Sequence, residues 1–351
     1  MTRVVGIDPG TVSIDVCGLV DGRLYLDRSW PTDEALADPA AFVDFLTAPG
    51  LPDLVAGPSG YGLPLQQSAQ VTESDLRLAF LAPPEESGGI GGLRRLARHL
   101  GRSALPVVYT PGVIHLDTVP AHRKLNRVDL GTADKLCAAV LGIHEQRARE
   151  RCSPEAVSFI LLELGGAFTA GVAVEHGQVT DGVGGTSGPI GWRAAGALDG
   201  EVAYLAGEVS KAALFQGGVH SFIDQQPSQA PVAMEAYYEG AVKSVRQLRC
   251  SAPSAKEIVL SGRHATMQGL FERLTRELSD IGPVRRLNGF ARTAKHGAQG
   301  AALMADGLAG GEHQDVVKRL RIREARGTVL DHLMFISPDA ARRKLGIADH
   351  D

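Results

Sequence analysis

The chain has 351 residues, enough for two domains of ordinary size, and 44% of them are apolar, so a packed core is within reach. A formal net charge of −4 implies no general affinity for nucleic acid, and no run approaches the ~18 apolar residues of a membrane span. The four cysteines, Cys17, Cys137, Cys152 and Cys250, have neither disulfide-framework nor zinc spacing, and no leader pattern opens the chain, so a soluble, cytoplasmic protein with free thiols is expected.

The first element is an apolar strand, Val4–Ile7, running into Asp8, Pro9, Gly10 and Thr11. A hairpin follows, closed at Asp21-Gly22 by a turn that wants positive φ. A helix is predicted over 40–48, then a short strand, Leu54–Ala56, and a Gly/Pro/Ser loop over 57–64 holding Ser59 and Tyr61. "GGIGGLRRLARHLG" (88–101) reads as a glycine-rich turn feeding an amphipathic helix, and 106–116 contains another short strand. The segment 115–129 gathers Asp117, His122, Arg123, Lys124, Arg127 and Asp129, ahead of a long helix over 130–150 with Thr132 as its N-cap.

After a break at Ser153-Pro154 the pattern restarts. A buried strand, Phe159–Leu162, leads into Glu163, Gly165, Gly166 and Thr169, with a second tight turn at His176-Gly177. "DGVGGTSGPIG" (181–191) is glycine-rich and contains Gly185; helices are predicted over 201–215 and 234–249. The strand "EIVLSG" ends at Gly262, a helix follows over 267–280, and a small-residue helix spans 295–311. Residues 312–351 read as a charged helical tail with a second helix start at Pro338.

One offset of 155 positions carries Asp8 onto Glu163, Gly10 onto Gly165 and Gly22 onto Gly177. Hairpins are common, but a carboxylate and glycines at one fixed offset favour duplication over chance. Two domains of one ancestry follow, 1–150 and 151–312, with 313–351 as a tail expected to pack back on the first.

Glycine turns at strand ends leave backbone N–H groups aimed at an anion, and a neighbouring carboxylate can hold Mg²⁺ beside phosphates. Asp8, Gly10 and Thr11 would form one jaw of a phosphate clamp; Glu163, Gly165, Gly166 and Thr169 would form the other. Gly262, directly after a buried strand, would let a base and ribose approach the backbone. Each turn read alone is equally an ordinary connection.

The set resembles the superfamily of acetate kinases, sugar kinases, Hsp70 and actin (ASKHA). "GIDPGT" and "LELGGAFT" stand for its two phosphate motifs, "VLSGRHA" for its adenosine motif, and "DLGTADKLCAAV" and "GAQGAALMADG" for its connecting helices. Through "GPSGYGLP" and "NRVDLGTADK" the chain looks closest to the predicted butyrate kinases (DUF1464-like). The resemblance covers most of the chain. It implies an α/β fold of two duplicated RNase H-like domains around an interdomain nucleotide cleft, ATP and Mg²⁺ as cofactors, a small-molecule carboxylate acceptor and a homodimer.

It extends the nucleotide site to Gly185, Arg263 and Gly300, and the metal site to Asp8 with Glu163. Asp117, Thr118 and His122 match an Asp-Thr and a following histidine of acetate kinases. Arg123 or Arg127 would touch phosphate or substrate, although such a loop is as readily a solvated face. Asp129 would serve catalysis or favour the helix N-terminus. Ser59 and Tyr61 would line the substrate side or a rigid turn. The acetate-kinase arginine motifs are missing from their usual surroundings, and Glu163 departs from the acetate-kinase pattern. A kinase of a hydroxyl substrate such as a sugar, with Asp117 or Asp129 as base, and a non-catalytic nucleotide-binding regulator are the alternatives.

Overall fold

The computed structural model describes residues 1–10, 12–57, 59–83 and 89–347, and of 89–91 the backbone alone. The chain opens with β1 (Arg3–Pro9), β2 (Ser13–Val20), β3 (Arg23–Pro31), α1 (Thr32–Ala37), α2 (Pro39–Thr47) and β4 (Leu54–Ala56). Then come β5 (Gln66–Gln67), α3 (Glu73–Phe80), α4 (Gly89–Arg102), β6 (Val107–Tyr109), α5 (Ala121–Lys124) and α6 (Ala133–Glu150). Next are β7 (Phe159–Leu164), β8 (Thr169–Glu175), β9 (Gln178–Val183), α7 (Gly200–Ala206), α8 (Val219–Gln225) and α9 (Ala230–Arg249). The chain closes with β10 (Ile258–Ser261), α10 (Gln268–Glu277), β11 (Val284–Arg286), α11 (His296–Leu308), α12 (Gln314–Arg319) and α13 (Pro338–Lys344).

Two compact units result: unit 1 is Met1–Val128, Thr132–Pro154 and Gly289–Asp351, and unit 2 is Asp129–Gly131 with Glu155–Asn288. Their sheets share one plan. In unit 1 the order is β3-β2-β1-β4-β6-β5, with β1, β2 and β3 antiparallel and β4 and β6 parallel to β1. In unit 2 it is β11-β10-β7-β8-β9, again an antiparallel meander with parallel strands beyond its first strand.

The 155-residue offset persists in the backbone. Gly10 N–H donates to Ser13 O at 2.9 Å, and Gly165 N–H to Phe168 O at 2.9 Å. The meander turns have φ of 46° and 71° at Asp21-Gly22, and 51° and 72° at His176-Gly177, the left-handed pair that suits a two-residue hairpin. Both second strands shift register at matching points, Gly18/Leu19 and Ala173/Val174.

Each unit has its own core. Val5, Ile14, Val16, Phe42 and Leu96 lie at 0% exposure in the first, and Ile160, Leu162, Val245 and Leu248 in the second. The alternation of these residues on the strands is what buries one face of each sheet.

Helix α11 sets the boundary of unit 1, where the sequence had grouped it with residues 151–312. It is buried from Gly297 to Leu308 and packs on β1 and α6. A Cβ on Gly6 would stand 2.2 Å from Ala302 N, and one on Gly300 only 1.8 Å from Cys137 O. These glycines let strand, helix and helix meet backbone to backbone, which no larger residue permits.

Three local expectations shift. Gly89, Gly91 and Gly92 lie within α4 rather than in a preceding turn, and Gly88 lies outside the described residues. The helix expected over 201–215 stops at Gly207, whose φ of +71° ends it. The Thr132 hydroxyl makes no cap bond and donates to Asp134 Oδ1 instead. Beyond α12, Arg326 N–H donates to His115 O, Asn126 N–H to His332 O, and Met334 and Phe335 N–H to Asn126 Oδ1, so this stretch lies along 115–127 within unit 1.

Candidate functional site

In unit 1 the strand β1 ends at Asp8, and the turn after it is held tight. Thr32 Oγ1 donates to Gly10 O at 2.7 Å, and a Cβ on Gly10 would stand 2.7 Å from Ser13 O. Thr11 lies outside the described residues. Asp8 is only partly accessible, and no hydrogen bond or ion pair to its carboxylate occurs among the described residues. Gly297, in the first turn of α11, makes room for it: a Cβ there would stand 2.6 Å from Asp8 Oδ2 and 3.2 Å from Asp134 Cβ. Burial first, then the Asp134 charge, push the Asp8 pKa up to about 7, against the pull of Lys295 and Lys135.

Asp134, in the first turn of α6, is already engaged. Its Oδ2 is 2.6 Å from Lys135 Nζ, and its Oδ1 accepts from the Thr132 hydroxyl. Burial pushes its pKa up, but the Lys135 charge and these bonds prevail and hold it below the usual carboxylate range. Lys295 closes the cluster: its Nζ is 2.6 Å from Asp15 Oδ2 and 2.6 Å from Ser13 Oγ. It also stands 3.0 Å from where a Gly10 Cβ would be. The loop leading to it is fixed by Asp27, which accepts from the N–H groups of Arg292, Thr293 and Ala294, and by Gln299 Oε1, which accepts from Phe290 and Ala291. Of this cluster the sequence pointed to Asp8 and Gly10 and did not single out Asp15, Asp134, Lys135 or Lys295. Asp134 and Lys135 in the first turn of one connecting helix, and Lys295 just before the other, were the available signals.

In unit 2 the matching turn brings Glu163, Gly165, Gly166, Gly262 and Arg263 together. A Cβ on Gly165 would lie 3.5 Å from Glu163 Oε1, and the nearest atom to one on Gly166 is Arg263 Cδ at 3.9 Å. Gly262 has φ of +90°, and a Cβ there would stand 2.5 Å from Leu164 O and 3.0 Å from Gly165 N. The strand-end glycine of β10 therefore abuts the β7–β8 turn. Trp192 and His264 stack beside it, ring centroids 4.4 Å apart. Thr169 is fully buried and donates to Ile190 O at 3.3 Å, and a Cβ on Gly185 would strike the Phe168 side chain at 2.5 Å; both shape the turn from behind.

The remaining expected site residues lie in other surroundings. Asp129 is buried in unit 2, where its carboxylate accepts from Gly131 N, Thr186 N and Thr186 Oγ1, pinning the 181–191 loop. Asp117 pairs with Arg326 at 2.8 Å and Arg321 at 3.3 Å. Thr118 Oγ1 is buried without a partner among the described residues. His122 and Arg127 are exposed and Arg123 is half-buried. Ser59, 2% exposed, bonds Thr110 through its hydroxyl at 3.1 Å, and Tyr61 N–H donates to Ala79 O. Gly300 packs on α6 at a helix crossing, where a Cβ would stand 1.8 Å from Cys137 O.

Among the described residues no group of three or more His, Cys, Asp or Glu side chains could hold a metal ion, and no helix is long and apolar enough to cross a membrane. The family described as "Protein of unknown function (DUF1464)" matches residues 6–335. No curated protein matches by sequence. Among solved structures, the chain is similar to a propionate kinase from Francisella tularensis subsp. tularensis SCHU S4 (TM-score 0.57, 14% identity, 86% of this chain and 99% of that one). It is also similar to acetate kinases from Entamoeba histolytica (0.56, 10%, 80% and 87%) and Porphyromonas gingivalis (0.55, 13%, 80% and 88%). At these identities the likeness shows the fold: two domains of the acetate-kinase type.

Proposed function

The chain belongs to the family of unknown function DUF1464, and we propose that it is a phosphotransferase using ATP and Mg²⁺ to phosphorylate a small-molecule carboxylate. The observation that carries this reading is Asp8: a carboxylate at a strand end, beside a glycine turn and a second carboxylate, with no partner of its own among the described residues. A buried charge is ordinarily paired, so this one is arranged for a cation that arrives with the substrate. Asp8, with Asp134 beside it, would hold Mg²⁺ or its water shell; when bound, the ion would neutralise charge on the transferred phosphoryl group. Two carboxylates fall short of a full coordination sphere, which suits Mg²⁺, an ion that keeps waters and takes oxygens from phosphates. The turns at Gly10 and Gly165 present close backbone, as phosphate requires, and Gly262 offers the same beside the second.

The state of the other carboxylates favours a carboxylate acceptor over a hydroxyl. A hydroxyl must lose its proton to a base, and the two candidates, Asp117 and Asp129, are committed to two arginines and to three hydrogen bonds. A carboxylate acceptor is already ionised. Its oxygen would attack the γ-phosphorus, the bond to the ADP oxygen would break, and the products would be an acyl phosphate and ADP.

The test is ADP release across short-chain carboxylates, with hydroxylamine trapping the acyl phosphate. We expect acceptor-dependent hydroxamate formation that Asp8→Asn abolishes. A panel of sugars giving the only turnover would reverse the acceptor assignment, and ATP hydrolysis unaltered by any acceptor would remove it.

A further inference from the structure

We propose that Lys295 is a phosphate-binding residue, a fixed ammonium that contacts the terminal phosphates of a nucleoside di- or triphosphate on the Gly10 turn. The assignment rests on the nucleotide reading above and names one more residue for that same site. Three features carry it.

The ammonium is placed over the turn. Its Nζ is 3.0 Å from the position of a Gly10 Cβ and bonds Ser13 Oγ at 2.6 Å, so it stands above the backbone that an anion would meet. It is also held there in advance. Asp15, 2% exposed at its side chain, anchors Nζ at 2.6 Å, and Ser13 Oγ donates to the same carboxylate at 2.8 Å. The preceding loop is tied by Asp27 and Gln299, so little ordering remains when a ligand binds. Finally, the side chain keeps 48% of its surface exposed although its partner is buried, and its third N–H reaches only Ser13 O at 3.4 Å, a long bond that a phosphate oxygen would replace. A lysine serving only to neutralise Asp15 has no need of that placement. Asp8, Asp134 and Asp15 would otherwise make this end of unit 1 repel polyphosphate, and Lys295 and Lys135 offset that repulsion within the protein.

Calorimetric titration of the full chain with ATP, ADP and adenosine, with Mg²⁺ and with EDTA, decides it. Lys295→Met should weaken ATP and ADP roughly 10- to 100-fold and leave adenosine unchanged, and Lys295→Arg should recover most of the loss. Removing Lys295 exposes Asp15 as an unpaired buried charge, so Asp15→Asn/Lys295→Met, checked by circular dichroism, supplies a second variant with no such liability. It should show the same selective loss. Unchanged ATP affinity in either variant, or equal losses for ATP and adenosine, overturns the assignment in favour of a purely structural ion pair. A wild-type chain that binds no nucleotide overturns the phosphotransferase reading itself, and the Lys295 assignment with it.

Discussion

Asp8 costs the empty protein stability. Its carboxyl is driven from 3.8 up to about 7 by burial and by Asp134. A folded-state pKa above the unfolded one means that the folded chain holds the proton more tightly. The corresponding stability is complete below the unfolded value and is lost as pH rises through about 7. Asp8→Asn removes the charge that is disfavoured above that point. We expect ligand-free Asp8→Asn to be more stable than wild type by roughly 1–3 kcal/mol at pH 8, with the gain shrinking toward pH 4. Urea unfolding at a series of pH values reads this directly, and a difference independent of pH would contradict the placement of Asp8 beside Asp134. The same variant should be the inactive one, so stability and turnover move in opposite directions, as they do where a site is strained for its ligand. Asp117, paired with two arginines, and Asp129, held by three hydrogen bonds, should show no such gain.

The packing of α11 against α6 is sealed by a buried polar chain. Asp306 on α11, at 0% exposure, accepts from His313 N at 3.0 Å and pairs with His313 Nδ1 at 2.7 Å; His313 Nε2 lies 3.1 Å from His144 Nδ1 on α6. Burial opposes ionisation of Asp306, but the bonds from His313 prevail and hold its pKa down. Its contribution is therefore present above 3.8 and lost as pH falls through the folded value. Burial, then His313, also depress His144 below 6.5, so on acidification the unfolded chain takes that proton first and stability falls again. Asp306→Asn should cost about 1.5–3 kcal/mol, the range for losing hydrogen bonds to a charged group. His144→Gln should flatten the loss of stability between pH 7 and pH 5 in guanidinium melts; a slope equal to wild type would place the acid sensitivity elsewhere. None of this chain was legible in the sequence. Small residues at 298–307 announced that α11 would approach another backbone, but not which one. The backbone that Gly300 meets is that of Cys137 on α6. Asp134 likewise looks like any acidic residue of a first helical turn until Asp8 stands beside it.

The repeat was the most legible feature, because φ-demanding turns and strand-end glycines are local facts that the sequence must state. The extent of each unit was not, because it depends on where α11 docks, and that is decided by contacts between segments far apart in the chain. The consequence is an asymmetry between the halves. Among the described residues the core cluster of unit 2 runs from Ile160 to Val284, one continuous stretch. Unit 1 needs 289–351 to return: α11 covers β1 where Gly6 lies open to it, and Arg321 and Arg326 neutralise Asp117. A chain ending at Asn288 should therefore lose unit 1, since an uncovered β1 leaves the central strand of its sheet without its helical layer. A fragment of residues 155–288 should keep helix and strand content and melt cooperatively by circular dichroism. It lacks Leu130, whose carbonyl sits 1.8 Å from where a Gly182 Cβ would be, and Asp129, which pins Thr186, so the 181–191 loop is where it should loosen first. Protease cleavage confined to that loop, with the rest of the fragment resistant, is the expected pattern. A fragment cleaved throughout would show that unit 2 cannot stand alone, and a truncated chain that kept both transitions would show that α11 is dispensable to β1.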